Sequence, residues 1–229
     1  MRRLTFREAC RAPFADPDWA SKLALGGALN LLPLIGATWP AGYALALGRQ
    51  RLRDPAERRL PPWTGWRDLF RDGLAVWTIA LLWPAPGLLL LSIGFSFLIV
   101  AIIEWAGLAT TGCSVTAPAL AWMAAGAVLL IGGLIPVPAA LLLYLRTGRF
   151  GDAFHLAAIG RVIRRDVAGY LSVWWRCFLS AFALVIASVV PPVLLLLLII
   201  GPWVGFHLTL VWTLLWAEWA AENGLAAPE

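Results

Sequence analysis

Residues 193–217 read VLLLLLIIGPWVGFHLTLVWTLLWA. No charged side chain interrupts these 25 positions, and about 20 apolar residues of helix are enough to cross the roughly 30 Å hydrocarbon core of a bilayer. Four more runs lie upstream, at 23–48, 74–103, 119–145 and 170–190, the last carrying one charge at Arg176. The composition agrees: 61% of the 229 residues are hydrophobic and 14% are charged, against about 45–50% and about 25% in soluble globular chains. The expected fold is all-α, a polytopic transmembrane helical bundle of five apolar segments forming one integral membrane domain over 1–229.

Charge placement sets the expected orientation. The net charge is +5, but the stretches outside the apolar runs are too short to fold into a basic domain that would read nucleic acid. Of 18 Lys and Arg, 5 lie in residues 1–22, 7 in 49–73 and 5 in 146–169, with Arg176 the remaining one. Basic loops stay cytoplasmic. Loops 49–73 and 146–169 and the C-terminus are therefore expected on the cytoplasmic side of a prokaryotic plasma membrane, with 104–118 and the Pro191–Pro192 turn outside. Cys10, Cys113 and Cys177 are far apart and share no metal-binding spacing, so neither a disulfide, a metal nor a cofactor is expected.

The first run is broken in its middle by Leu31-Leu32-Pro33-Leu34-Ile35-Gly36. It reads either as one kinked span or as two half-helices forming a re-entrant hairpin, and the side of the N-terminus stays open with that choice. Pro84 and Pro86 bend the second run, where neighbouring helices must satisfy the freed carbonyls. Interfacial segments at 4–14, 64–73 and 149–166 lead into later elements. In the first, Thr5 and Glu8 have capping-box spacing, Phe6, Ala9, Cys10 and Pro13 share a face, and Arg3, Arg7 and Arg11 form a stripe beside it. Asp16-Pro17-Asp18-Trp19 then opens a helix, with Asp16 as N-cap and Pro17 in the first helical position. Arg161, Arg164 and Arg165 give the third segment a similar basic edge. With Arg176, which lies within snorkelling reach of the interface, these arginines are the candidate contacts for anionic lipid headgroups.

Four stretches carry a resemblance. They are Pro13-Phe14 with Asp16-Pro17-Asp18-Trp19; Gly26-Gly27 with Leu32-Pro33-Leu34-Ile35-Gly36 and Gly42-Tyr43; Leu60-Pro61-Pro62-Trp63 with Trp66-Arg67-Asp68-Leu69-Phe70 and Asp72-Gly73; and Ala153-Phe154 with Gly169-Tyr170-Leu171. In this order the chain resembles the prokaryotic polytopic membrane proteins filed as domain of unknown function 4013. The resemblance implies an integral membrane protein, and it implies no activity and no catalytic residue.

Polar residues deep in apolar runs are where a site is expected. His207 lies near the middle of 193–217 with Trp203 on the same face, and Asn30 lies in the broken first run. A hydrogen bond between Asn30 and His207, tying two helices together for about 1 kcal/mol, is the plain reading; a midplane site for a solute or proton is the functional one. Phosphate loops, HExxH spacing and a nucleophile with its base are absent, so no enzyme is expected. The leading functional reading is a non-enzymatic accessory, scaffold or membrane-organising component, whose partners are the bilayer and other membrane protein subunits. The alternative is a small transporter or channel built on the broken helices at Pro33, Pro84 and Pro202. A lipid-acting membrane enzyme is third.

Overall fold

The computed structural model describes residues 5–32, 35–57, 59–107 and 116–225; Arg3, Pro33 and Cys113 lie outside the described residues. Every regular element among them is helical. In order they are α1 (Phe6–Arg11), a 3₁₀ turn (Ala12–Ala15), α2 (Trp19–Asn30), α3 (Thr38–Arg53), α4 (Trp66–Leu82), α5 (Ala85–Trp105), α6 (Thr116–Leu134), α7 (Val137–Thr147), a second 3₁₀ turn (Phe150–Phe154), α8 (Leu156–Arg164), α9 (Val167–Ser188) and α10 (Pro191–Glu222).

Among the described residues four stretches are long and apolar enough to cross a membrane: Ala85–Trp105, Thr116–Thr147, Val167–Ser188 and Pro191–Glu222. The first apolar run does not supply a fifth. It is divided into α2 and α3, about 18 and about 24 Å long at 1.5 Å per residue, each shorter than a bilayer core. Its two ends come together, because Lys22 near the start of α2 donates to the carbonyl of Leu60, just past the end of α3. The two halves therefore fold back on each other. The second run is also cut, at Trp83–Pro84, so that residues 74–82 belong to α4 and the spanning helix starts at Ala85.

The chain divides into two compact units, Thr78–Val137 and the remainder, Met1–Trp77 with Pro138–Glu229. The smaller unit is built on the α5–α6 pair. Gly87 and Gly94 on α5, and Gly126 and Gly133 on α6, are each seven residues apart; a Cβ on any of the first three would strike the partner helix, and one on Gly133 the Trp83–Pro84 backbone just before α5. A seven-residue period keeps one seam turned toward the neighbour, and small residues on that seam let membrane helices meet backbone to backbone.

In the larger unit α10 is the central strut, packed by α1, α2, α3 and α9. Its C-terminal half is buried, through Phe206, Leu210, Val211, Leu214, Leu215 and Trp219, whereas Leu195 and Ile199 in its N-terminal half are 64% and 69% exposed. Gly26 and Gly27 of α2 are the seats for the rings of Phe206 and Trp203. The far end of α10 closes as a Schellman motif: Gly224 takes φ +66°, and the N–H groups of Leu225 and Gly224 donate back to Ala220 at 2.8 Å and Ala221 at 3.2 Å. Arg165 completes this cap by donating to the Asn223 carbonyl at 2.7 Å. Arg165, a headgroup candidate that stays exposed, thus also places its guanidinium at a helix C-terminus, where a cation is favoured. Arg161 and Arg164 remain exposed.

The capping box of α1 forms as expected: Glu8 N–H donates to Thr5 Oγ1 at 3.3 Å, and Thr5 N–H donates to Glu8 Oε2 at 2.8 Å. Its apolar face packs in part against protein. Ala9 and Pro13 are buried and α1 packs on α10, while Arg7 and Arg11 point outward. This packing supports protein contact, with charge at the rim, as what holds the segment. Protection of residues 5–15 from trypsin in liposomes is therefore expected to survive high salt and Arg7→Gln/Arg11→Gln, with neutral-site proteases used for the double variant. Ala9→Asp should abolish it. Loss of protection in high salt alone would mean that lipid charge holds the helix.

Candidate functional site

The segment between α3 and α4 is not helical, so its backbone polar groups need partners from elsewhere. Leu60 N–H donates to Asp16 Oδ2 at 2.6 Å, and the Leu60 carbonyl accepts from Lys22 Nζ at 2.8 Å. Pro61 and Pro62 have no N–H to satisfy, and the Pro61 carbonyl accepts from the Tyr43 hydroxyl at 2.7 Å. Trp63 returns the link by donating its indole N–H to the Lys22 carbonyl at 3.2 Å. The Tyr43 and Trp63 rings stack at 4.1 Å, with Phe206 against both. Two prolines, an aromatic and one buried carboxylate thus fasten the foot of the α2–α3 hairpin to the loop that follows it.

Asp16 carries this fastening and is 2% exposed. It pairs with Lys22 at 2.9 Å and accepts from the Asp18 N–H at 2.7 Å. Its expected role as N-cap is corrected: α2 begins at Trp19 with Asp18 in the cap position and no side-chain cap bond. The Asp16 carboxylate instead turns inward, because the unpaired Leu60 N–H and the Lys22 ammonium offer it more than a helix end does. Burial pushes this carboxyl up, but the hydrogen bonds from Lys22, Asp18 and Leu60 and the Lys22 charge outweigh it and hold the group below its ordinary range.

A second buried carboxylate, Asp72 at 4% exposure, joins three helices. It accepts from the Tyr144 hydroxyl of α7 at 2.9 Å and pairs with Arg49 of α3, and Arg71 lies 3.9 Å away. The approach of α3 to α4 depends on glycine, since a Cβ at Gly42 would strike the Leu69 carbonyl and one at Gly73 the Thr38 carbonyl. A comparable device satisfies α7: the Ala139 N–H, in a first turn that has no intrahelical acceptor, donates to the buried Tyr170 hydroxyl at 3.2 Å.

The residues expected to form a midplane site part company. Asn30 donates to the Pro202 carbonyl at 3.0 Å and Trp203 to the Ala24 carbonyl at 3.2 Å, so both serve the α2–α10 seam. His207 faces the N-terminal segment: its ring lies 5.2 Å from that of Phe14, and its Nδ1 is buried without a partner among the described residues. The expected Asn30–His207 bond does not form among those residues, because Asn30 is taken by the Pro202 carbonyl and His207 turns toward Phe14. Arg176 is exposed, in a groove between α9 and α10. Asp16, Lys22, Arg49, Asp72 and Tyr144 were absent from the expected site; the available signal was that Asp16 and Asp72 fall inside the stretches that carry the family resemblance.

Fold and site together define an all-helical, membrane-type chain whose buried charges fasten its own elements to one another. A family model described as "Protein of unknown function (DUF4013)" matches residues 25–200, and the chain belongs to that family. No curated protein and no solved structure matches it. The matched region holds Tyr43, Leu60–Trp63 and Asp72, with Asp16 and Lys22 just before its start.

Proposed function

We propose that this protein is a non-enzymatic component of a prokaryotic cytoplasmic membrane, an accessory or organising protein that acts through its embedded shape and its contacts with other subunits. What supports this reading best is the use it makes of its polar side chains. Asp16, Lys22, Asn30, Asp72 and Tyr144 each bond another part of the same unit, and buried polar groups satisfied in this way rigidify a fold. A transporter would turn such groups toward a solute, and its broken helices would line the site. Here α10 runs as one continuous helix through Pro202, and Asn30 donates to the Pro202 carbonyl. Purification from native membranes in mild detergent is expected to bring down a partner in fixed stoichiometry. Recovery of the chain only as a free monomer, or solute flux in proteoliposomes, would overturn the reading.

The proposed topology has four spans and one re-entrant hairpin, α2–α3, with both chain ends cytoplasmic. The hairpin's exposed apolar tip, Leu31, Leu32 and Ile35 at 53%, 53% and 58%, would then sit within the bilayer. In a background with Cys10, Cys113 and Cys177 replaced by Ala, an impermeant thiol reagent on intact cells is expected to label Ala109→Cys and to spare Ala56→Cys and Thr5→Cys. Labelling of Thr5→Cys from outside would make the first run a span.

A further inference from the structure

In the larger unit the α2–α3 hairpin lies along only part of α10. Down α2 the contacts run in reverse order along α10: Gly26 seats the ring of Phe206, Gly27 that of Trp203, and Asn30, the last residue of α2, donates to the Pro202 carbonyl at 3.0 Å. Helix α3 returns in the direction of α10, with Tyr43 against Phe206 at 5.7 Å between ring centres and Gly48 beside Thr213. Its first residue, Thr38, is five positions before Tyr43, about 7.5 Å along the axis, which again reaches to the neighbourhood of Pro202. Past that level α10 is bare. Residues 191–201 include no buried position, every buried residue of α10 lies at or after Phe206, and Leu195, Leu198 and Ile199 are exposed. Helix α9 shows the same division. Its buried residues Gly169, Tyr170 and Val173 fall in its first two turns, while Val185, Ile186 and Val189 are exposed.

Residues 191–201 extend for about 16 Å, and one leaflet supplies about half of a hydrocarbon core of about 30 Å. With α10 spanning, the hairpin therefore stops near the midplane, and its exposed tip residues Leu31, Leu32 and Ile35 meet the ends of the acyl chains. Helices are about 10–12 Å across, so the hairpin adds roughly 160–230 Å² of cross-section to the leaflet that holds the C-terminal half of α10 and none to the other. The α5–α6 pair, as two spans, adds alike to both leaflets. Material inserted into one leaflet expands it against the other, and the mismatch is relieved where that leaflet is convex. Helices inserted into one face of a membrane respond to curvature for this reason. We propose that the α2–α3 hairpin is a one-leaflet wedge through which this protein selects curved membrane, gathering where the leaflet that receives the hairpin is convex. In the proposed topology that leaflet is the cytoplasmic one. The inference rests on the re-entrant placement of the hairpin proposed above and gives the organising role a physical form.

The test uses the full chain in giant vesicles from which narrow tubes are pulled, so that protein exchanges between flat and curved membrane. Both orientations are present in such vesicles, and an impermeant dye added outside marks only the copies whose labelled residue faces out. In the cysteine-free background, dye on Ala56→Cys marks copies with the hairpin in the outer, convex leaflet of the tube. Their density relative to lipid is expected to rise about two- to fourfold over the flat membrane, a bias of roughly 0.4–0.8 kcal/mol. Dye on Ala109→Cys marks the opposite copies, which should be depleted by a similar factor. Leu31→Ala/Leu32→Ala/Ile35→Ala trims the tip at exposed positions, where substitutions disturb a fold little, and should bring both ratios closer to one. The placement of the hairpin is checked separately with Thr5→Cys/Ala56→Cys, for which mass spectrometry should find two dyes on a copy or none. One dye on every copy would put the two positions on opposite faces, and would remove the re-entrant placement and the wedge with it. Two dyes or none, combined with even densities of both populations in tubes or with sorting that the trimmed tip leaves unchanged, overturns the wedge and leaves the placement standing.

Discussion

Replacing Asp16 with Ala is expected to destabilise the unit that holds α2, α3 and α10 by about 3 kcal/mol, because removing one partner of a buried pair leaves the other charge uncompensated. Three groups lose their acceptor at once: the Lys22 ammonium, whose side chain is 16% exposed, the Leu60 N–H and the Asp18 N–H. Asp16→Asn keeps an oxygen for the Leu60 N–H but no charge for Lys22, and should fall between Ala and the native residue. Asp16→Asn/Lys22→Met should recover most of the loss, since an apolar replacement of both ions removes the stranded charge. Thermal unfolding in mild detergent, followed by tryptophan emission, reads these directly because Trp63 stacks beside the fastening. Acid gives an independent check. The folded carboxyl is held below its unfolded value of about 3.9, so its stabilisation is complete above that value and is lost as pH falls through the folded one. Native protein should therefore melt at progressively lower temperature in that acid range, and Asp16→Ala should lose that part of the slope. A variant that melts like the native chain at every pH would mean that the fastening contributes nothing.

The spanning helices were legible because an apolar run of sufficient length has few alternatives in a chain this poor in charge. The Thr5–Glu8 capping box was legible for the same local reason, since all its partners lie within one turn. Two features of the first run show where legibility stops. Its break at residues 31–36 was plain, but whether the halves continue or fold back is decided by contacts such as Lys22 to Leu60, which local pattern does not encode. Asp16 is the sharper case. Asp-Pro-Asp-Trp is a sound helix start, and only the presence of an orphan N–H at Leu60, 44 positions away, turns the carboxylate from cap to fastener. The Asn30–His207 pairing failed because the Asn30 amide finds the Pro202 carbonyl within reach, and proximity along the membrane normal says nothing about which face of α10 each neighbour covers. The cap that Arg165 adds to α10 was not legible, since its acceptors are the last carbonyls of a helix that ends 57 residues later.

Asp72 is the second site of large expected effect, and its consequences spread over three helices. Asp72→Ala should cost about 3–5 kcal/mol, at the upper end for breaking a buried ion pair, because it strands Arg49 and also removes the acceptor of the Tyr144 hydroxyl, a group in the buried Ala139–Leu145 face of α7. Arg49 is 28% exposed along its side chain and recovers part of the loss by reaching water. The Tyr144 hydroxyl lies in the packed interior and has less recourse. Tyr144→Phe removes the donor and its need together, so it should cost only about 1 kcal/mol, the net worth of a single hydrogen bond. In the double variant Asp72→Ala/Tyr144→Phe the penalty for the stranded hydroxyl disappears, and the two losses should fall short of additivity by about 1 kcal/mol. Protection of α7 from hydrogen exchange should drop in Asp72→Ala and be largely restored in the double variant, while α5 and α6, in the other unit, keep theirs. Strict additivity would place Tyr144 outside the carboxylate's influence and reduce the cluster to the Arg49 pair. A shortfall localised to α7 would identify Asp72 as the group that holds the start of the α4 helix to a segment more than seventy residues downstream.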